Sequence, residues 1–158
     1  MKRNINLVEL SRDHHHGLLL GWKVKQGLKN QTDLEEIKKY IVHFNEKALK
    51  PHFNEEETQL LIYLDPENDL RKRTENEHEE IIALAKQLHL SSAANADNML
   101  TFADLLERHI RFEERELFPY MENSLSQKDL EEIGEKIAAI HEPYIEDYSN
   151  EFWVKKNK

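Results

Sequence analysis

Two segments of the sequence contain a histidine followed four residues later by a glutamate, in closely matched surroundings. The pairs are His52 with Glu56 and His109 with Glu113; counted from each histidine, a second glutamate stands at +5, a leucine at +8 and a tyrosine at +11. Residues four apart lie one above the other on one helix face, so each pair directs an imidazole and a carboxylate to the same point. Both groups are metal ligands. Each segment is therefore predicted to supply half of a buried metal site.

The matched residues around the two pairs support this prediction more strongly than the His–Glu pairs themselves. Because 31 of the 158 residues are Asp or Glu, a few such pairs among nine histidines are expected by chance. Each pair, however, interrupts an apolar stripe, and a carboxylate buried there without a partner is costly unless a cation compensates it. The stripe residues are Leu49, Leu60 and Tyr63 for the first pair and Leu106, Leu117 and Tyr120 for the second. The alternative is a hydrogen bond along an exposed helix surface within each pair.

Further ligands are expected from two other histidine-containing segments. His78 is followed by apolar residues that place it on an inward helix face, so we interpret it as a ligand. Near the start of the chain three consecutive histidines point in three directions. Alignment of Asp13 and His14 with Glu77 and His78 favours His14, whereas apolar residues at +3, +4 and +7 favour His15 as the inward histidine. Both remain candidates.

The remaining candidates are assigned ordinary structural roles. Three histidines without a comparable setting are expected at the surface or at helix ends: His43, His89 and His141. Two glutamates that follow the paired ones are expected to face solvent: Glu57 and Glu114. Two large residues are expected in the core: Trp22 and Met121. The two tyrosines of the repeat are expected to pack with a hydrogen-bonded hydroxyl.

Four amphipathic helices with short connections position these residues. The first is predicted from a Ser11 cap to about Leu28, and the second from Asp33 to about Leu64, with a kink just before His52 caused by Pro51. The third is predicted from an Asp65 cap and Pro66 to between His89 and Ser92. The fourth follows a loop over 91–98 and ends near Asn123. This pattern favours an antiparallel up-down-up-down four-helix bundle, a fold that places metals in its interior.

A fifth helix is predicted from a Ser126 cap through Ile140, with Pro143 as a point of interruption. Its aromatic residues, Tyr144, Tyr148, Phe152 and Trp153, are expected to cover one side of the bundle or to contact a partner subunit. The second arrangement would make the protein a homodimer through an aromatic C-terminal helix.

Composition narrows the class of protein. A chain of 158 residues with four Gly and four Pro predicts one all-α domain over 1–158. The net charge of −9 argues against nucleic acid or an anionic membrane as partner. No cysteine is present, so a metal must be held by imidazole and carboxylate. Neither a signal peptide nor a membrane span is evident, which predicts a cytoplasmic location.

The distribution of His14 or His15, His52, Glu56, His78, His109 and Glu113 over four helices resembles the hemerythrin-like family of His-His-Glu cation-binding domains. The Asp-His-His-His-Gly start and the His-x-x-x-Glu-Glu-x-x-Leu-Phe-Pro run are similar to that family. The resemblance covers 10–124, which implies a metal-binding bundle there and a helical extension over 125–158. The resemblance implies a non-heme di-iron centre in which the two glutamates bridge the irons and the histidines supply terminal nitrogens. Mn or Zn would also suit these donors.

The sequence departs from the oxygen-carrying hemerythrins at the third helix, where those proteins have a His-x-x-x-His pair. The positions four away from His78 are Thr74 and Ile82. Either a coordination position stays open or another group fills it, namely Glu55, Glu114 or the second histidine of helix one. An open position favours chemistry with O2, peroxide or nitric oxide, or iron handling, over reversible oxygen carriage.

Three hypotheses about function follow. The first is a protein that binds or senses O2 or a related small oxidant, or handles iron. The second is a di-iron oxidase or peroxidase that uses the same residues. The third is a helical interaction module with a structural metal.

Overall fold

The computed structural model describes residues 2–155, and within that range it contains helices, turns and irregular segments but no strand. The predicted all-α class is confirmed. The described part of the chain forms five helices when the π-helical segments and the 3-10 turn Leu61–Tyr63 are counted with the α-helices that they continue. Their bounds are Val8–Lys29 for α1, 34–63 for α2, Asp69–Leu90 for α3, 96–124 for α4 and Gln127–Ile140 for α5.

Helices α2 and α4 both change from α-helical to π-helical winding at the paired glutamate. The π segment is Glu56–Leu60 in α2 and Glu113–Leu117 in α4. The sequence repeat is thus also a repeat of backbone structure. Single π turns inside α-helices occur frequently at functional sites.

Helix α2 passes through Pro51 without ending. A π segment over Asn45–Leu49 comes directly before it, and the Lys50 N–H donates to the carbonyl of Asn45. The α-helical winding then resumes over Lys50–Glu55. Proline removes one backbone donor and crowds the preceding turn, and a wider turn at this place relieves both effects. The predicted disturbance before His52 therefore takes the form of a π turn.

The helix start predicted at Asp33 and the cap predicted at Ser126 are confirmed. The Asp33 side chain accepts the Glu35 N–H, and the Ser126 hydroxyl accepts the Asp129 N–H. Short polar side chains at these positions satisfy backbone donors that the first helical turn leaves free.

Two other predicted helix starts are wrong. Helix α1 begins at Val8, before Ser11, because a 3-10 turn over Ile5–Leu7, capped by Asn4, leads into it. Helix α3 begins after Asn68, whose side chain accepts two backbone N–H groups, while Asp65 forms a separate turn by accepting the Glu67 N–H. Asn68 thus caps α3 in place of Asp65, whereas α1 has no side-chain cap of its own and continues directly from the turn that Asn4 caps.

The predicted fifth helix is confirmed over Gln127–Ile140, but the prediction that it carries the aromatic residues is wrong, because they lie beyond its end. Helix α5 ends at Ile140, and the chain from 141 to 155 is irregular. Pro143 explains this end, since a proline disfavours helical geometry in the residue before it. Phe152 and Trp153 are buried in this chain's own core against Tyr40, at ring-centroid distances of 5.5 and 5.2 Å. These two rings are therefore covered by the chain itself.

The core consists of two clusters of buried apolar side chains, and α2 and α4 contribute residues to both. The first includes Phe44, Phe53, Phe102 and Leu106, and the second includes Leu60, Phe112, Leu117 and Met121. Met121 is thus buried as predicted. Trp22 is instead 51% exposed, because it shares the outward face of α1 with His15. Among residues 2–155, no helix has both the length and the apolarity to cross a membrane.

Candidate metal centre

Six predicted ligands meet in the protein interior from four helices. His14 lies on α1, His52 and Glu56 on α2, His78 on α3, and His109 and Glu113 on α4. Their exposed fractions do not exceed 7%, and both glutamates are fully buried. The spacing of four residues thus directs each pair to one point, as helix geometry requires.

The six side chains form two groups of four that share both carboxylates. His14 and His52 complete one group, and His78 and His109 complete the other, with Glu56 and Glu113 common to both. Within each group the potential ligand atoms lie within 4.8 Å of one another. Each group could hold a metal ion, and the shared carboxylates join the two groups into one candidate centre.

The inward atoms of this centre face one another without hydrogen bonds. Nε2 of His14 lies 3.4 Å from a Glu113 oxygen, and Nε2 of His52 and of His78 lie 3.3 and 3.2 Å from Glu56 Oε1. Nε2 of His109 contacts Glu113. All four Nε2 atoms and all four carboxylate oxygens are buried without a hydrogen-bond partner. Such orphaned atoms are rare in folded proteins, and a cation bound among them would satisfy them all.

Three of the four imidazoles are oriented by a carboxylate behind them. Nδ1 of His14 donates to Glu114 at 2.7 Å, Nδ1 of His52 to Asp13 at 2.8 Å, and Nδ1 of His109 to Glu77 at 2.8 Å. This arrangement fixes the proton on Nδ1 and leaves the Nε2 lone pair pointing inward, as in histidines that bind metals. Around the fourth imidazole, His78, the nearest carboxylate oxygen to Nδ1 belongs to Glu57 at 3.6 Å.

The electrostatics of the centre favour positive charge. Burial by itself lowers the pKa of His14, but the adjacent Glu113 and Glu114 carboxylates outweigh it and hold the pKa at about 9. The pKa of His52 is likewise raised well above its usual value, because Glu56 and Asp13 outweigh its burial. Burial raises the pKa of Glu113, but His109 outweighs this effect and holds it well below 4.5. The carboxylates thus stabilise cationic charge, which protons or metal ions can supply.

The first helix contributes His14 and not His15 to the centre. His15 is exposed and belongs to neither ligand group, whereas His14 is buried. Consecutive helical residues point in directions about 100° apart, so only one of them can face inward. The reading of His15 as the inward residue is therefore wrong.

Two residues expected at the surface lie close to the centre instead. Glu114 was expected to face solvent but receives hydrogen bonds from His14, Ser11 and Arg3. His141 was expected at the surface, but its side chain is only 5% exposed and contacts Glu55 and Asp13. Glu57, which was also expected to face solvent, has a side chain that is 40% exposed. Sequence spacing gives no signal for these long-range contacts.

No protein group among the described residues replaces the additional histidine of oxygen-carrying hemerythrins. The Thr74 hydroxyl donates to the carbonyl of Leu70, and position 82 is an isoleucine. Of the three expected substitutes, Glu55 contacts His141, Glu114 contacts Nδ1 of His14, and His15 is exposed. Each group therefore has two imidazoles and the two shared carboxylates.

A small cavity of about 40 Å³ adjoins the centre. His14, His52 and His109 form part of its wall, and Leu106 and Ile110 are among its apolar lining residues. A site for one water molecule requires roughly 10–15 Å³ by the same measure. The cavity thus has room for a molecule of two or a few atoms.

Residues 6–121 match the family model described as hemerythrin HHE cation binding domain. The chain belongs to this family. Comparison with curated proteins and with solved structures gives no significant match. The buried His and Glu groups therefore form a candidate metal-binding site in a domain of the hemerythrin HHE family.

Proposed function

We propose that this hemerythrin-family chain holds two iron ions and binds or senses a small oxidant such as O2, peroxide or nitric oxide. The observation that carries the proposal is the sharing of Glu56 and Glu113 by two otherwise separate ligand groups. A carboxylate that faces two positions can bridge two ions, and each position then has two imidazoles of its own. Mixed nitrogen and oxygen donors suit iron, and also Mn or Zn.

The proposed roles follow from the side-chain positions. His14 and His52 would hold one ion, His78 and His109 the other, and the two glutamates would bridge them. We further propose that the bundle over 10–124 has antiparallel up-down-up-down topology within a single domain over 1–158, with 125–158 as an extension. We also propose that the protein is cytoplasmic, that it forms a homodimer and that it can handle iron.

Four protein groups at each position leave room for an exogenous ligand in the coordination shell. When bound, iron would supply redox-active positions at which a small oxidant can coordinate. The chain itself would control access and size, because the adjoining cavity of about 40 Å³ admits only small molecules. Phe53 would shield one side, since its ring stacks on His78 with centroids 3.9 Å apart.

Anaerobic reconstitution with Fe(II) tests the proposal. We expect two irons per chain and a change in the visible spectrum when O2, peroxide or nitric oxide is admitted. His14→Ala should lower iron binding, while the matched variant His15→Ala should bind iron like the wild type. Glu56→Gln should lose both irons together, because its carboxylate serves both positions.

Three results would contradict the proposal. Iron content near zero would exclude the centre, and a single iron per chain would exclude the bridged pair. Two irons with no spectral response to any of the three oxidants would exclude the proposed ligand class.

A further inference from the structure

A third group of potential ligands lies outside the central six. It consists of Asp13 on α1, Glu55 on α2 and His141 in the irregular segment after α5, with ligand atoms within 4.8 Å of one another. Glu9, one turn before Asp13, also faces His141. None of these four residues belongs to the two ligand groups of the central site.

His141 has the same arrangement as three of the four imidazoles of the central site, namely His14, His52 and His109. Its Nδ1 donates to Glu55 Oε2 at 2.8 Å, which leaves the Nε2 lone pair pointing away from Glu55. Nε2 lies 3.5 Å from Asp13 Oδ1 and 3.8 Å from Glu9 Oε2, and it is buried without a hydrogen-bond partner. The side chain of His141 is 5% exposed. An unpartnered imidazole nitrogen is thus directed at two carboxylate oxygens.

The charges around His141 are unbalanced. The carboxylates of Glu9, Asp13 and Glu55 surround one imidazole, and the side chains of Asp13 and Glu55 are only 16% and 9% exposed. Arg12 contacts the other oxygen of Glu9 at 2.8 Å and offsets one negative charge. The three carboxylates thus outnumber this one arginine contact by two, and a divalent cation would balance that surplus.

We propose that Glu9, Asp13 and His141 form an additional site for a divalent cation such as Mn²⁺, Fe²⁺ or Zn²⁺. Glu55 would orient the imidazole from behind. Ligand distances of about 2.0–2.2 Å place neighbouring ligand atoms roughly 3–3.5 Å apart, so small side-chain shifts would close the observed separations. Glu9 is 40% exposed, and water can therefore complete the coordination shell from the solvent side.

This additional site lies beside the central one. Asp13 uses Oδ2 to accept the hydrogen bond from His52, and Oδ1 faces His141. The cavity next to the central histidines is also lined by Asp13, Glu55 and His141. A cation held by His141 would therefore lie at the wall of the same cavity, one carboxylate away from a central imidazole.

The test uses the Fe(II)-loaded protein, titrated with Mn(II) without oxygen while free Mn(II) is counted by its EPR signal. We expect the wild type to bind one more Mn(II) per chain than His141→Gln, with the iron retained. Glu9→Gln should weaken this binding by about 10-fold or more. His89→Gln removes an exposed histidine at the end of α3 and should match the wild type.

The difference between the wild type and His141→Gln does not depend on how many ions the central site holds. Failure of this site is therefore distinguishable from failure of the proposed di-iron centre. Equal Mn(II) binding by the wild type and His141→Gln would overturn the inference, as would release of one iron for each Mn(II) bound. If His141→Gln does not fold, the Mn(II) affinity of Glu9→Gln tests the inference instead, because the Glu9 side chain is 40% exposed and tolerates the change. A Mn(II) affinity equal to that of the wild type would then overturn the inference.

Discussion

Glu77 provides the sharpest test of the central site because it contacts an imidazole without touching the cation positions. Its Oε1 accepts the hydrogen bond from His109 Nδ1 at 2.8 Å, and Arg73 holds Oε2 at 3.1 Å. Glu77→Gln keeps the shape but removes the charge that makes the imidazole a stronger donor to a metal. Loss of such a partner lowers metal affinity by about 10–100-fold, or about 1.4–2.8 kcal/mol.

The measurement is anaerobic Fe(II) affinity in competition with a chelator of known strength. Glu57→Gln is the matched comparison, because Glu57 Oε1 lies 3.6 Å from His78 Nδ1 and that nitrogen has no hydrogen-bond partner. The Glu57→Gln substitution should therefore weaken iron binding by less than about 10-fold. Glu79→Gln, at an exposed position of α3, should have no effect. Equal losses in Glu77→Gln and Glu57→Gln, or no loss in either, would refute the role assigned to the hydrogen bond.

The remaining predictions concern stability, measured by urea unfolding at fixed metal content. Gly21→Ala should stabilise the protein by about 1 kcal/mol, because the nearest atom to the added methyl is 4.0 Å away. Gly27→Ala should destabilise the protein by about 1–3 kcal/mol, because the added methyl would lie 2.7 Å from the Phe152 ring. A change in the free energy of unfolding with the same sign in both variants would contradict the packing described around these two glycines. Phe152→Ala should cost about 3–5 kcal/mol, and an effect on dimerisation alone would contradict its burial in this chain's core. Burial raises the pKa of Glu146, but the hydrogen bond from Lys23 outweighs this effect and lowers the pKa below 4.5. The ionised carboxylate therefore stabilises the folded state above pH 4.5, and this contribution is lost as the pH falls through the lowered pKa. Glu146→Gln should accordingly be less stable than the wild type above pH 4.5, and the difference should vanish at lower pH. A difference from the wild type that does not vary between pH 3 and 7 would contradict this linkage.

Local rules account for much that was predicted correctly. The four-residue spacing of His52 with Glu56 and of His109 with Glu113 is fixed by helix geometry, and the helix caps at Asp33 and Ser126 depend on a short polar side chain beside a free N–H. Both effects act within one or two turns. They could therefore be predicted without knowledge of the rest of the chain.

The failures at helix starts have a local cause as well. Ser11 and Asp65 have suitable side chains, but Asn68 caps α3, and α1 continues from a 3-10 turn that Asn4 caps. Several residues near a helix start can each act as a cap, and composition does not rank them. The choice depends on which backbone geometry the preceding turn adopts.

The amino-acid sequence by itself determined the helical class, the two His–Glu repeats and the family to which they belong, because periodicity and short-range spacing are written along the chain. Tertiary packing decided which histidine of α1 faces inward. A methyl at Gly17 would lie 2.5 Å from the Ile110 side chain, so the missing side chain allows α1 to approach α4 closely on the face that carries His14. Packing alone also brings His141 to Asp13, residues far apart in the sequence whose contact no local pattern encodes.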